Sequence, residues 1–199
     1  MKIEKNSVEI LFNPDWIQMQ KNIEYCGRVC YQSRDKITEN SYDKFIRNIV
    51  KNKHFSVLEH EKITVRFVTD LANSHRIVRH RHASFSQEST RFNNYKELTF
   101  IEDRPEVAER LSPYYQAIED SFTEITESYG VYFAKRLLPK SLKTELIVTA
   151  NLRTWREILE KRTTKDNDMT IINLFAKLRT ELAKNMPAVF GDIKQVDMM

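Results

Sequence analysis

The sequence predicts an α+β protein, and three observations carry that reading. Strand-like and helix-like segments are interspersed without the βαβ rhythm of a parallel sheet. One long segment, Glu106–Tyr129, places Val107, Leu111, Tyr114, Tyr115, Ile118, Phe122 and Ile125 at helical spacing. Glycine is scarce: Gly27, Gly130 and Gly191 stand far apart, so neither a P-loop nor the glycine-rich fingerprint of a doubly wound fold can be built.

In chain order, Lys2–Leu11 reads as a strand that leads into a helix from about Asp15 to Ser33. A second helix spans about Ser41 to Asn52, with Ser41 as its N-cap. Residues 61–69, EKITVRFVT, alternate polar with apolar and β-branched side chains, which predicts a strand half-facing water. Asp70–His80 can form a helix, and the polar stretch after it reads as an irregular binding loop. The long helix ends at Gly130, a natural C-cap. Val131–Leu138 is a shorter helix stopped by Pro139, Thr144–Ala150 a strand and Arg153–Lys161 a helix. Thr170–Asn185 is the last helix, stopped by Pro187.

A chain of 199 residues suits one well-buried domain, taken as 1–199. A formal charge of +4 fits a binder of anionic metabolites and gives nucleic acid only weak support. The N-terminal residues mix charges among apolar ones, unlike a signal peptide, and no apolar run approaches the roughly 20 residues of a membrane helix. A cytoplasmic protein is expected. Cys26 and Cys30 lie on one helical face without further ligands nearby, the pattern of reduced structural thiols. Trp16, Trp155, the tyrosines near residue 114 and the helical phenylalanines are expected to pack in the core. The charges of Lys140–Lys161 are expected to form a solvated face, Arg153 excepted.

The unusual chemistry sits in SHRIVRHRHASFSQESTRFNNY, which begins at Ser74. It holds Arg76, Arg79, Arg81 and Arg91, three histidines (His75, His80, His82), and the hydroxyls of Ser84, Ser86, Ser89 and Thr90. Forked cationic donors among hydroxyls suit a bound anion, above all a phosphorylated small molecule. By spacing, Arg76 lies one helical turn before Arg79 and His80 and can share their face.

Arg79-His80-Arg81, seven residues and then Ser89 resembles the signature of the flavin-dependent thymidylate synthases. His54-Phe55-Ser56-Val57-Leu58-Glu59-His60 is similar to the family's His-x-Ser-x-x-Glu-His segment. Leu137-Leu138-Pro139, Thr144 and Thr149-Ala150-Asn151-Leu152-Arg153-Thr154-Trp155 resemble its downstream block. The likeness spans roughly residues 24 to 190. It implies an antiparallel sheet with covering helices, a single domain of this family's type, and a homotetramer with active sites at subunit interfaces. The implied reaction is reductive methylation of dUMP to dTMP. Methylenetetrahydrofolate supplies the carbon, FAD reduced by NADPH supplies the hydride, and no cysteine nucleophile is used.

By the resemblance, FAD contacts fall on His54, Ser56, Arg79, His80, Arg81, Gln87 and Asn173. The dUMP contacts fall on Arg79, Gln87, Glu88, Ser89, Arg91 and Arg153, with Arg76 added from its helical spacing. Ser89 binds and orients dUMP, since the residue type suggests a nucleophile but no adjacent base is evident. A last-helix arginine that polarises the uracil maps to Arg179, although gapless counting from Pro187 would select Thr180. Three departures stand out: Ser86-Gln87-Glu88 shifts the loop's charge by one residue, Phe92 replaces a tyrosine, and Lys165-Asp166-Asn167-Asp168 is unusually polar. His60 and His82 read as structural hydrogen bonders.

Two other readings compete. The histidines between residues 54 and 82 could ligate zinc or iron in a hydrolase, but four interleaved arginines would repel a cation. A basic nucleic-acid module would have only Phe85, Phe92 and Tyr95 as stacking residues. No metal and no nucleic acid are therefore expected.

Overall fold

The structure, a computed structural model, describes residues 1–194. In order it contains β1 (Lys2–Glu4), β2 (Ser7–Ile10), α1 (Trp16–Val29), α2 (Ser41–Lys51), β3 (Lys62–Asp70), α3 (Leu71–Ile77), β4 (Ala83–Gln87) and β5 (Thr99–Ile101). There follow α4 (Pro105–Tyr129), α5 (Val131–Ala134), β6 (Lys143–Asn151), α6 (Leu152–Arg162), α7 (Met169–Asn185) and α8 (Pro187–Phe190). A short 3-10 turn covers Phe55–His60. No helix among the described residues is long and apolar enough to cross a membrane.

The architecture is α+β, with an antiparallel sheet of order β2-β3-β6-β4. Opposite directions for β3 and β6 follow from their pairings. Leu152 N–H donates to the Glu61 carbonyl, Thr64 Oγ1 meets Thr149 Oγ1 at 2.9 Å, and Arg66 bonds Glu145, so one number falls as the other rises. The alternation read in residues 61–69 is realised: Ile63, Val65, Phe67 and Thr69 are buried, while Lys62 is exposed and Thr64, Arg66, Val68 and Asp70 are half-buried. Strand β6 repeats the pattern with Thr144, Leu146, Val148 and Ala150 inside.

Four expectations need correction. Lys2–Leu11 is two strands, because buried Asn6 turns inward. Its N–H and side-chain amide donate to the Asp103 carboxylate (2.8 and 3.0 Å), and Thr69 Oγ1 donates to its Oδ1 (2.6 Å). Strand β1 then pairs in parallel with β5, in the register Lys2↔Thr99, and so stands apart from the antiparallel sheet. The segment after α3 is partly regular, since half-buried Ala83 and Phe85 alternate with exposed Ser84 and Ser86 as the edge strand β4. Ser41 is the first residue of α2 rather than its cap. Its Oγ instead donates to the buried Glu24 carboxylate (2.7 Å). Pro187 opens the helical turn α8 instead of only ending α7.

The chain forms two compact units: residues 1–7, 66–80 and 85–147 make the first, and 8–65, 81–84 and 148–194 the described part of the second. The first packs Leu98, Phe100, Tyr115, Phe122, Ala134 and Leu142 at its centre. Tyr115 stacks on Phe100 with centroids 4.1 Å apart, but Tyr114 is 67% exposed, against the expectation that both would pack. Gly130, which ends α4, has φ of 88°, a conformation that favours glycine. The second unit buries Ile23, Ile46, Leu58, Trp155, Leu159, Phe175 and Leu182. There the Trp155 indole donates to the Ile63 carbonyl at 3.0 Å.

Candidate active site

In the first unit the site grows from the end of β4. Gln87 points its amide at Ser74 Oγ (2.9 Å) and Thr144 Oγ1 (3.3 Å), which fixes a residue otherwise on the surface. Glu88 donates its N–H to the Glu145 carbonyl (2.8 Å). Its carboxylate accepts from the Glu145 N–H (3.2 Å) and the Asn93 amide (3.1 Å), with Lys143 Nζ at 3.7 Å. A cavity of about 400 Å³ opens here, lined by Ser86, Gln87, Glu88, Lys143, Glu145 and Ile147. The Arg66 guanidinium bonds both oxygens of Glu145 and holds that carboxyl below its ordinary range.

Ser89 shapes the turn that follows. Its Oγ accepts from the Arg91 and Phe92 N–H groups (3.2 and 3.4 Å), a local hydroxyl turn. Among the described residues no carboxylate or imidazole bonds this oxygen, so no base stands ready there to activate it as a nucleophile. Lys135 Nζ donates to the Arg91 carbonyl (2.7 Å), tying the turn to the segment after α5. The Arg91 side chain is exposed, with its guanidinium 5.1 Å from the Phe92 ring centroid. Arg76 is half-buried on α3. That helix ends at Ile77, so Arg79 and His80 lie past it and the shared helical face does not form. The His80 N–H closes the turn onto the Ile77 carbonyl (3.2 Å), and Arg79 is exposed.

The second unit carries the remaining candidates. His54 precedes the 3-10 turn that presents Ser56, and both side chains are exposed. The Tyr31 hydroxyl lies 3.3 Å from His54 Nδ1, a partner without motif support in the sequence. Arg81 is exposed. Arg153, at the start of α6, bonds Glu59 (2.7 Å) and Glu157 (3.1 Å); the Glu59 bond first and the Glu157 bond second raise its pKa. Beside it a cavity of about 370 Å³ is lined by Glu59, His82, Asn151, Arg153, Thr154 and Glu157. A neighbouring cavity of about 560 Å³ adds His60. Both histidines are exposed cavity residues rather than the structural hydrogen bonders expected.

On α7, Asn173 buries its side-chain oxygen without a hydrogen-bond donor among the described residues. Arg179 directs Nε and Nη2 to the Ile193 carbonyl (3.1 and 2.7 Å). Thr180 at the neighbouring position is exposed, its hydroxyl returned to the Ala176 carbonyl. Arg156 was missed among the charges of Lys140–Lys161. It is 3% exposed, lies over the Phe55 ring, and binds both oxygens of Asp192. The signal was its place beside Leu152, Trp155 and Leu159 on the apolar face of α6. Burial pushes the Asp192 carboxyl up, but the Arg156 bonds outweigh it and hold the group below its usual range.

The sequence model of the thymidylate synthase complementing protein family matches residues 15–188, a span that contains every candidate residue above. A flavin-dependent thymidylate synthase of Mycolicibacterium vanbaalenii is 30% identical over 87% of this chain and 79% of its own. One of Mycobacterium avium is 29% identical over 86% and 78%. Among solved structures, the UMP/dUMP methylase PolB of Streptomyces cacaoi, bound with 5-Br dUMP, superposes with a TM-score of 0.80. It covers 96% of each chain at 19% identity, which shows a shared fold. A match of this length, joined to relatives that align along most of both chains, places the chain in the family of the flavin-dependent thymidylate synthases.

Proposed function

We propose that the protein methylates dUMP to dTMP reductively, with methylenetetrahydrofolate as carbon donor and FAD, reduced by NADPH, as hydride source. The observation that carries this reading is the family match across residues 15–188. FAD, when bound, supplies hydride chemistry that no side chain offers. The residues present suit it. Arg79 and Arg81 are exposed cations for a diphosphate, and the buried oxygen of Asn173 is an acceptor for an N–H of the group. His54, steadied by Tyr31, and Ser56 add exposed polar contacts, and His80 and Gln87 complete the set.

For dUMP, Arg91 is the phosphate fork, with Arg76 and Arg79 adding charge. Gln87 and Glu88 are pinned by β6 and α3 and so pre-organise the loop, while Ser89 fixes the turn and orients the nucleotide through its O–H. Arg153 contacts the nucleotide by sharing its guanidinium, which Glu59 and Glu157 hold beforehand. Arg179 keeps Nη1 beyond its clamp on Ile193 and polarises the uracil, stabilising the N3-deprotonated form by charge in place of a thiolate.

Half-buried Cys26 and exposed Cys30 support that choice: neither thiol has a hydrogen-bond or ion-pair partner among the described residues to activate it. The C26A/C30A double variant is expected to retain turnover within about threefold, since half-buried Cys26 contributes packing rather than chemistry and Cys30 is exposed just past α1. Loss of turnover in a folded double variant would return the reaction to a thiolate. The reading includes a cytoplasmic homotetramer, supported by the exposed aromatic set Tyr114, Tyr129, Tyr132 and Phe133 on α4 and α5. The experiment that tests flavin binding is the visible spectrum after incubation with FAD and removal of free cofactor. A retained oxidised-flavin spectrum supports the proposal, and a colourless protein defeats it.

A further inference from the structure

A second basic cavity lies between α1 and α2. A cavity of about 390 Å³ is lined there by Arg28, Lys36, Ser41, Lys44, Phe45 and Asn48. Ser41, Lys44, Phe45 and Asn48 share one face of α2 by their spacing, and Arg28 faces them from α1.

The polar atoms of this lining offer donors with almost no free acceptor. Arg28 gives Nε and Nη2 to Glu24 (3.1 and 2.8 Å), which leaves Nη1. Ser41 Oγ is spent: it donates to Glu24 (2.7 Å) and accepts the Thr38 N–H (2.9 Å). Asn48 Oδ1 accepts from Asn52 (3.0 Å), which leaves its amide N–H groups. Lys36 and Lys44 form no ion pair among the described residues. Glu24 is 1% exposed and committed to Arg28 and Ser41, so its charge neutralises Arg28 but not the two lysines.

The cavity is also built rather than incidental. Arg28 lies over the Phe45 ring, 4.8 Å from its centroid. A Cβ on Gly27 would stand 2.6 Å from that ring, so glycine lets Phe45 pack this close to α1. The buried Glu24 carboxylate then fixes the direction of Arg28 from below.

We infer that this cavity binds a multiply charged anionic group, a phosphate or a run of carboxylates, on Lys36, Lys44, Arg28 and Asn48. The inference goes beyond the proposed reaction and does not depend on it. Two sources share the chemistry, a diphosphate and an oligoglutamate chain, and the probes separate them.

The test titrates inorganic pyrophosphate, and separately triglutamate, into the whole protein and follows the Asn48 side-chain amide signal by NMR. A saturable shift with at least one probe is expected, weakened about tenfold in K36Q/K44Q, because each exposed ion pair contributes up to about 1 kcal/mol. It should also fall as salt rises. The K161Q/K184Q variant loses the same charge at exposed positions outside the cavity and should stay within about twofold of the parent. Saturation with pyrophosphate alone identifies a phosphate ligand, and with triglutamate alone a polycarboxylate. No saturable shift at Asn48, or equal weakening in both double variants, overturns the inference.

Discussion

Arg91→Ala is expected to weaken dUMP binding by roughly 10- to 100-fold while FAD affinity stays within about twofold. Charged hydrogen bonds contribute about 1.5–3 kcal/mol, and a bidentate phosphate fork sits at the upper end. The turn that presents Arg91 is held by its backbone, through Ser89 Oγ and Lys135, so truncating the side chain leaves the loop in place. Phe92 loses a cation neighbour but is already 76% exposed, which keeps the fold out of the measurement. Titration of each ligand into the variant checks this, and equal losses of both would remove the phosphate assignment. Arg91→Lys should recover part of the loss, since it restores charge without the fork.

Trp155→Ala is expected to destabilise the protein by about 3–5 kcal/mol, the largest effect of any single truncation in the second unit. The ring is fully buried in that core, and close-packed interiors refill a cavity of that size only in part. Its indole also closes the Ile63 carbonyl, a sheet residue. Trp155→Phe separates the two contributions. It should cost less than the alanine variant, yet still about 1–3 kcal/mol, because that carbonyl is left without its donor. Urea unfolding followed by circular dichroism reads both. A loss below about 1 kcal/mol for Trp155→Ala would mean that the core is not organised around this residue.

How much of this was legible in the sequence depends on whether a local signal existed. The strand at 61–69 shows its burial in its alternation, and Gly130 marks the end of α4 because few other residues adopt its φ. Strand β4 was hidden because serines occupy its exposed positions and only Ala83 and Phe85 face inward, too few for a pattern. The split of the first strand at Asn6 depends on Asp103 and Thr69, partners far along the chain. Ser41 has the residue type of a cap, but Asn40 precedes the helix and Glu24 claims the hydroxyl. The candidate residues of the site stand out by resemblance, whereas their partners in the structure do not. Neither the carboxylates on Arg153 nor the clamp of Arg179 on Ile193 follows from spacing. Arg156 shows the limit of reading charge as exposure: an arginine on an apolar face is buried when a surface carboxylate, here Asp192, meets its guanidinium.

The measurement that bears most directly on the central claim is dTMP formation by the purified protein given dUMP, methylenetetrahydrofolate and NADPH, with and without FAD. Formation of dTMP is expected only when flavin is present, with the C26A/C30A variant behaving as the parent. Formation of dTMP without flavin, or none from protein that retains flavin and binds dUMP, would contradict it.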